Sequence, residues 1–169
     1  HWHKTSDNLV VPQDGYDPME WRDPYVFWLA DTREYIMILG ARKLDGKKIR
    51  TGRTVYFTSQ DLKSWDFKGD FWAPDMFYMH EMPDIFKLGD YWYLLTTEYS
   101  DKSKTIYRMS KTLDGPWLAP VDDAFDGSAY YAARSYSDGE RRYLFGWVPT
   151  KENEDDTRSW QWGGTLVVH

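Results

Sequence analysis

Two acidic motifs stand far apart in the chain and read as counterparts: Trp21-Arg22-Asp23-Pro24 and His80-Glu81-Met82-Pro83-Asp84. Each precedes a short apolar run, Tyr25-Val26-Phe27 in one case and Ile85-Phe86 in the other. A protonated carboxyl can hand its proton to a leaving oxygen, while an ionised one stabilises positive charge on the neighbouring carbon. Together they are the equipment of glycoside hydrolysis. Arg22 beside Asp23 favours the ionised form, which suits Asp23 to holding sugar hydroxyls or stabilising charge. Glu81 has Met79, Met82, Trp72 and Phe77 near it in sequence, so it is the better candidate for the acid. Taken singly, Asp-Pro is a common turn pair and Glu81 an ordinary surface acid. Equivalent placement in two units is what gives the pair weight.

The elements that must position these groups are short strands. Tyr35-Ile36-Met37-Ile38-Leu39, Val55-Tyr56-Phe57-Thr58, Tyr91-Trp92-Tyr93-Leu94-Leu95 and Tyr143-Leu144-Phe145 are β-branched or aromatic and bounded by Gly or Asp. The pairs Asp45-Gly46, Gly89-Asp90, Asp114-Gly115 and Asp138-Gly139 supply hairpin turns between them. A polar turn of the form Ser-x-x-Leu recurs at Ser6, Ser59 and Ser110. Its spacing of about fifty residues is the size of one four-stranded propeller blade. A sandwich would also use short strands, but the order within each unit repeats here, which favours the propeller. The first strand of a blade lines the central axis, so Asp23, Glu81 and the third unit's Tyr130-Tyr131-Ala132-Ala133 are expected to converge on one funnel.

Composition narrows the partner. The 169 residues are 41% hydrophobic and 18% aromatic, with ten Trp and thirteen Tyr. Aromatic rings pack sheets together and also stack on the apolar faces of sugars. A net charge of −6 argues against nucleic acid or an anionic membrane, and favours a neutral ligand. There is no Cys, and His1, His3, His80 and His169 have no metal-ligand spacing, so neither metal nor cofactor is expected. The acidic run Glu152–Asp156 reads as a solvated hairpin tip rather than a calcium loop. The chain opens without Met and without a signal peptide. We expect it to be part of a longer protein, cytoplasmic or secreted.

Trp21-Arg22-Asp23-Pro24, His80-Glu81-Met82-Pro83-Asp84, Tyr130-Tyr131-Ala132-Ala133-Arg134-Ser135 and Tyr143-Leu144-Phe145-Gly146-Trp147, in this order, resemble glycoside hydrolase family 32, the invertases, inulinases and levanases. The opening His3-Lys4-Thr5-Ser6-Asp7-Asn8-Leu9-Val10 and the closing Trp160-Gln161-Trp162-Gly163-Gly164 fit as well. The resemblance implies an all-β fold, a partial five-bladed β-propeller. About three four-stranded blades are expected, over units of roughly 15–70, 71–120 and 121–169. It implies retaining hydrolysis of fructosides through a covalent fructosyl–enzyme intermediate. By motif, Asp23 corresponds to the transition-state stabiliser, Glu81 to the acid/base and Arg22 to the arginine beside the stabiliser. Arg22, Trp21, His80, Tyr131 and Trp162 are the expected substrate-binding residues. Trp160 and Trp162 suit either sugar stacking or blade packing.

Two departures matter. The family's nucleophilic aspartate lies in a Trp-Met-Asn-Asp-Pro-Asn-Gly motif with no match here; Asp17-Pro18 is only an echo of it, just before Asp23. Met82 stands where the family usually has Cys, a packing position that leaves the role of Glu81 intact. We therefore expect a β-fructofuranosidase fragment acting on sucrose or fructans, weak or inactive alone, since retention needs the nucleophile. The alternative is a non-catalytic carbohydrate-binding propeller. An arc of about three blades leaves its end faces open, and a homo-oligomer that closes the ring is expected.

Overall fold

The computed structural model describes residues 1–4, 8–101, 103–125, 129–155 and 158–169, without the side chains of Glu154 and Trp162. The Ser6-Asp7 part of the first Ser-x-x-Leu turn therefore lies outside the described residues. The strands form three antiparallel meanders. The first holds β1 (Tyr16–Leu29), β2 (Glu34–Lys43), β3 (Gly52–Ser59) and β4 (Asp66–Trp72), in chain order. The second holds β5 (Glu81–Leu88), β6 (Tyr91–Glu98) and β7 (Lys104–Ser110); the third holds β8 (Tyr131–Ser137), β9 (Arg142–Lys151) and β10 (Trp160–Val168). In the second sheet a fourth strand is reduced to two isolated bridges, Met109 to Leu118 and Ile106 to Ala124. Pro116 just before that stretch and Pro120 within it cannot donate to a ladder, which interrupts a continuous strand there.

The sheets stack face to face, each giving a row of side chains to the next. Ile36 and Ile38 of β2 meet Ile85 and Leu94 of the second sheet, with Tyr25, Phe27 and Trp92 around them. Phe86 and Leu95 meet Tyr130, Ala133 and Leu144 of the third. Both faces of β2 are covered, because Met37 and Leu39 pack on the other side with Phe57, Trp21 and Phe67. Hence the strand reads as an unbroken apolar run. Each such aliphatic side chain contributes about 1.5–3 kcal/mol by leaving water.

The innermost strands β1, β5 and β8 lie side by side, β5 touching both others. Together with the stacked meanders, this is an arc of a β-propeller. Where the chain passes from β4 into β5 it presses onto β2, and a Cβ on Gly40 would overlap the His80 carbonyl oxygen. Only glycine permits that approach, which sets the entry of β5 against the first sheet.

Candidate active site

All three inner strands carry the same defect at the same place. Pairing skips between Arg22 and Tyr25 in β1, between Glu81 and Asp84 in β5, and between Tyr131 and Arg134 in β8. In each case one extra residue bulges out, and its first member is left-handed: Asp23 at φ 63°, Met82 at φ 49°, Ala132 at φ 54°. Bulges re-aim side chains and strengthen local twist. Left-handed backbone costs a non-glycine residue about 1–2 kcal/mol, so the neighbouring sheets must hold it. They do so through the amides that the bulges free from the ladder. The Met82 amide donates to the Asp23 carboxylate at 3.0 Å. The Ala132 and Ala133 amides donate to the Thr97 and Thr105 hydroxyls, each at 3.1 Å.

This register corrects the expected equivalence of Asp23 and Glu81. The matching positions are Arg22, Glu81 and Tyr131, one residue before each bulge; Asp23 matches Met82 and Ala132. The three matching side chains form a chain of hydrogen bonds. Arg22 donates to Glu81 Oε1 at 2.7 Å, and the Tyr131 hydroxyl donates to Glu81 Oε2. Two further expectations change with it. Arg22 pairs with Glu81 and Glu20, whereas its Nε stands 3.9 Å from Asp23. Nor does Glu81 sit in an apolar nest: Met79 and Phe77 are turned into the core, and the carboxylate meets polar partners.

The chain of bonds perturbs its members. Burial raises the Tyr131 phenol, and the hydrogen bond and charge of Glu81 raise it further. Burial pulls the Arg22 guanidinium down, but its bonds to Glu81 and Glu20 outweigh this and leave it above its usual value. Tyr99 is pushed up to about 12, first by burial and then by the charge of Glu20.

Glu81 and Tyr131 open onto a cavity of about 460 Å³, also lined by Tyr99, Ser103, Trp147, Trp160 and Gln161. The Tyr131, Trp147 and Trp160 rings stand nearly perpendicular, with centroids 5.2–6.2 Å apart. Their edges and faces give an apolar wall beside a carboxylate, the surface that a sugar ring's C–H face requires. A proton donor against such a wall can serve a bound glycosidic oxygen.

Of the expected substrate-binding residues, Arg22 and Tyr131 are brought to Glu81. Trp21 is not: its ring packs edge-on with Tyr16 and Phe57 in the outer core. His80 is not either: it is fully buried, its ring 4.8 Å from Trp72 and its Nδ1 3.2 Å from the Thr54 hydroxyl. The pleat is the reason, since successive residues point to opposite faces and only one of His80 and Glu81 can face the funnel. The Trp162 side chain lies outside the described residues. Asp17, the echo of the nucleophile motif, binds Arg42 at 3.1 Å and caps the Met19 amide at 3.0 Å. Glu20, Tyr99, Ser103, Trp147 and Gln161 are not among the expected site residues; of these Trp147 lies in a motif, at the end of Tyr143–Trp147, and Gln161 in the closing Trp160–Gly164 stretch.

The N-terminal domain of glycosyl hydrolases family 32 matches residues 1–169. The chain belongs to that family. Among curated relatives, this family 32 chain is 29% identical over 180 residues to a sucrose-6-phosphate hydrolase of Vibrio alginolyticus, covering 94% of the chain and 35% of that protein. It is 30% identical over 89 residues to a levanase of Bacillus subtilis, covering 52% of the chain and 12% of that protein. It thus spans about a third of the length of the relatives that it matches along nearly its whole length. Among solved structures, a sucrose-6-phosphate hydrolase from Lactobacillus gasseri superposes with a TM-score of 0.73 at 21% identity, over 98% of this chain and 36% of that one. A family 32 β-fructofuranosidase from Bombyx mori gives 0.71 at 24% identity, over 98% and 37%. At these identities the structures speak for the shared fold.

Proposed function

We propose that this chain carries the proton-transfer and charge-stabilising part of a retaining glycosidase site that acts on β-fructofuranosides, sucrose or fructans. Glu81 gives its proton to the glycosidic oxygen and later takes one from water. Asp23 holds ring hydroxyls and offsets the charge that grows at the anomeric carbon. Arg22 and Tyr131 aim the Glu81 carboxyl, while Trp147 and Trp160 wall the sugar. No residue of the chain is assigned the nucleophile's part, so by itself it binds sugar but turns it over weakly or not at all. The observation that carries the reading is the Arg22–Glu81–Tyr131 chain on the wall of the aromatic cavity. The substrate class follows the relatives, which are named as sucrose-6-phosphate hydrolases and a levanase.

The test is a titration of the chain with sucrose and 1-kestose, following the Trp indole resonances by NMR. Saturable shifts at Trp147 and Trp160, weakened in Glu81→Gln and Asp23→Asn, are expected. Indoles that stay put up to hundreds of millimolar sugar would overturn the assignment.

A further inference from the structure

Glu20 has no part in the reading above, yet it holds the other arm of the Arg22 guanidinium. One terminal nitrogen of Arg22 donates to Glu20, and the other donates to Glu81 at 2.7 Å. The Glu20 side chain is 16% exposed, as covered as Glu81 at 18%. Its position is built rather than incidental. Tyr16 pairs with Lys43 and Trp21 with Ala41, so residues 17–20 form an excursion that faces Arg42 alone. Asp17 fastens that excursion by taking Arg42 at 3.1 Å and the Met19 amide at 3.0 Å. The chain then returns with Glu20 against Arg22.

One cation between two half-buried carboxylates leaves a surplus negative charge. Such a trio takes up a proton more readily than a simple ion pair, because two ionised carboxylates on one guanidinium repel each other. A cation with a single carboxylate partner favours that partner's ionised form, which cannot donate a proton. We propose that Glu20 is a positioning residue for Glu81: it occupies one arm of Arg22, aims the other at Glu81, and offsets the cation so that Glu81 can carry a proton. This rests on the acid/base reading of Glu81. Among the described residues, the Tyr131 hydroxyl from β8 donates to Glu81, Tyr99 after β6 feels its charge, and Asp23 from β1 stands 3.9 Å from the Arg22 Nε and accepts from the Met82 amide. Nearby, the Lys151 ammonium stands 4.5 Å over the Trp160 ring, and Arg134 reaches the Asp23 carbonyl at 3.4 Å.

The test follows the glutamate side-chain carboxyls of the full chain by ¹³C NMR from acid to neutral pH. Coupled groups titrate as a pair, so the Glu20 and Glu81 curves are expected to be broadened and to report on each other. Glu20→Gln, which keeps an acceptor for Arg22, is expected to lower the Glu81 midpoint by about one pH unit. Single-step, independent curves in the unaltered chain would overturn the proposal, and this readout stands even where Glu20→Gln fails to fold. A Glu81 midpoint that Glu20→Gln leaves in place would overturn it too. Neither measurement needs sugar or turnover. Failed sucrose binding therefore sinks the proposed function without moving these curves, and an unmoved midpoint beside normal binding sinks only the role of Glu20.

Discussion

Arg22 of β1 donates to Glu81 of β5 at 2.7 Å, across the seam between two sheets and over 59 positions of sequence. The bond joins equivalent positions of two blades, each one residue before a left-handed bulge. It ties the geometry of the site to the packing of the sheets.

Removing the cation exposes that dependence. Arg22→Ala leaves Glu20 and Glu81 facing each other without a counter-ion. It is expected to cost about 2 kcal/mol, below the figure for a fully buried pair because a third of the side chain is in water. Arg22→Lys restores charge without the fork, and should recover only part of the loss. Urea unfolding of the three proteins measures both effects.

The Asp23 carboxylate has a structural duty, accepting from the Met82 amide, beside the chemical one proposed for it. Asp23→Ala leaves the Met82 amide without its acceptor and is expected to cost about 1–3 kcal/mol. Asp23→Asn keeps an acceptor oxygen and should stay close to the parent protein in stability while losing sugar affinity. Equal destabilisation by both would sink the distinction. Denaturant midpoints beside the NMR sugar titration decide it.

His80 predicts an acid-sensitive fold. Burial, with the charges of Arg53 and Arg108 adding, holds it neutral and pushes it down to about 3. Its unfolded value is near 6.5. The unfolded chain thus binds a proton that the folded chain refuses, and stability present above about pH 6.5 is lost as pH falls toward 3. The slope from one such group approaches 1.4 kcal/mol per pH unit within that window. His80→Asn is expected to be less stable at pH 7 and to show a flatter loss between pH 6 and 4.

Gly40 tests the link between packing and site. Gly40→Ala places a methyl against the His80 carbonyl and is expected to cost about 1–3 kcal/mol. The shift should reach the adjacent Glu81 amide in an ¹H–¹⁵N spectrum. A chain with unchanged stability and an unmoved Glu81 resonance would mean that β5 tolerates displacement.

Much of this was readable in the residues. The strands around Ile36–Leu39, Val55–Thr58, Tyr91–Leu95 and Tyr143–Phe145 announced themselves by β-branched and aromatic runs between Gly and Asp turns. Arg22, Glu81 and Tyr131 could be found because each belongs to a motif that opens a unit. Glu20 and Tyr99 could not be found in this way. Their relevance comes from an excursion of β1 and from a loop that meets it, and neither leaves a periodic mark.

Taken alone, the sequence determined the all-β character, the repeat of blade-sized units and the carboxylates available for chemistry, because these depend on local propensity and on residue type. Only the tertiary structure decided which side chains face one another. A strand alternates its faces at every residue, so a single bulge exchanges the roles of neighbours. That is why Arg22 rather than Asp23 aligns with Glu81, and why His80 lies in the core while the residue after it meets the cavity.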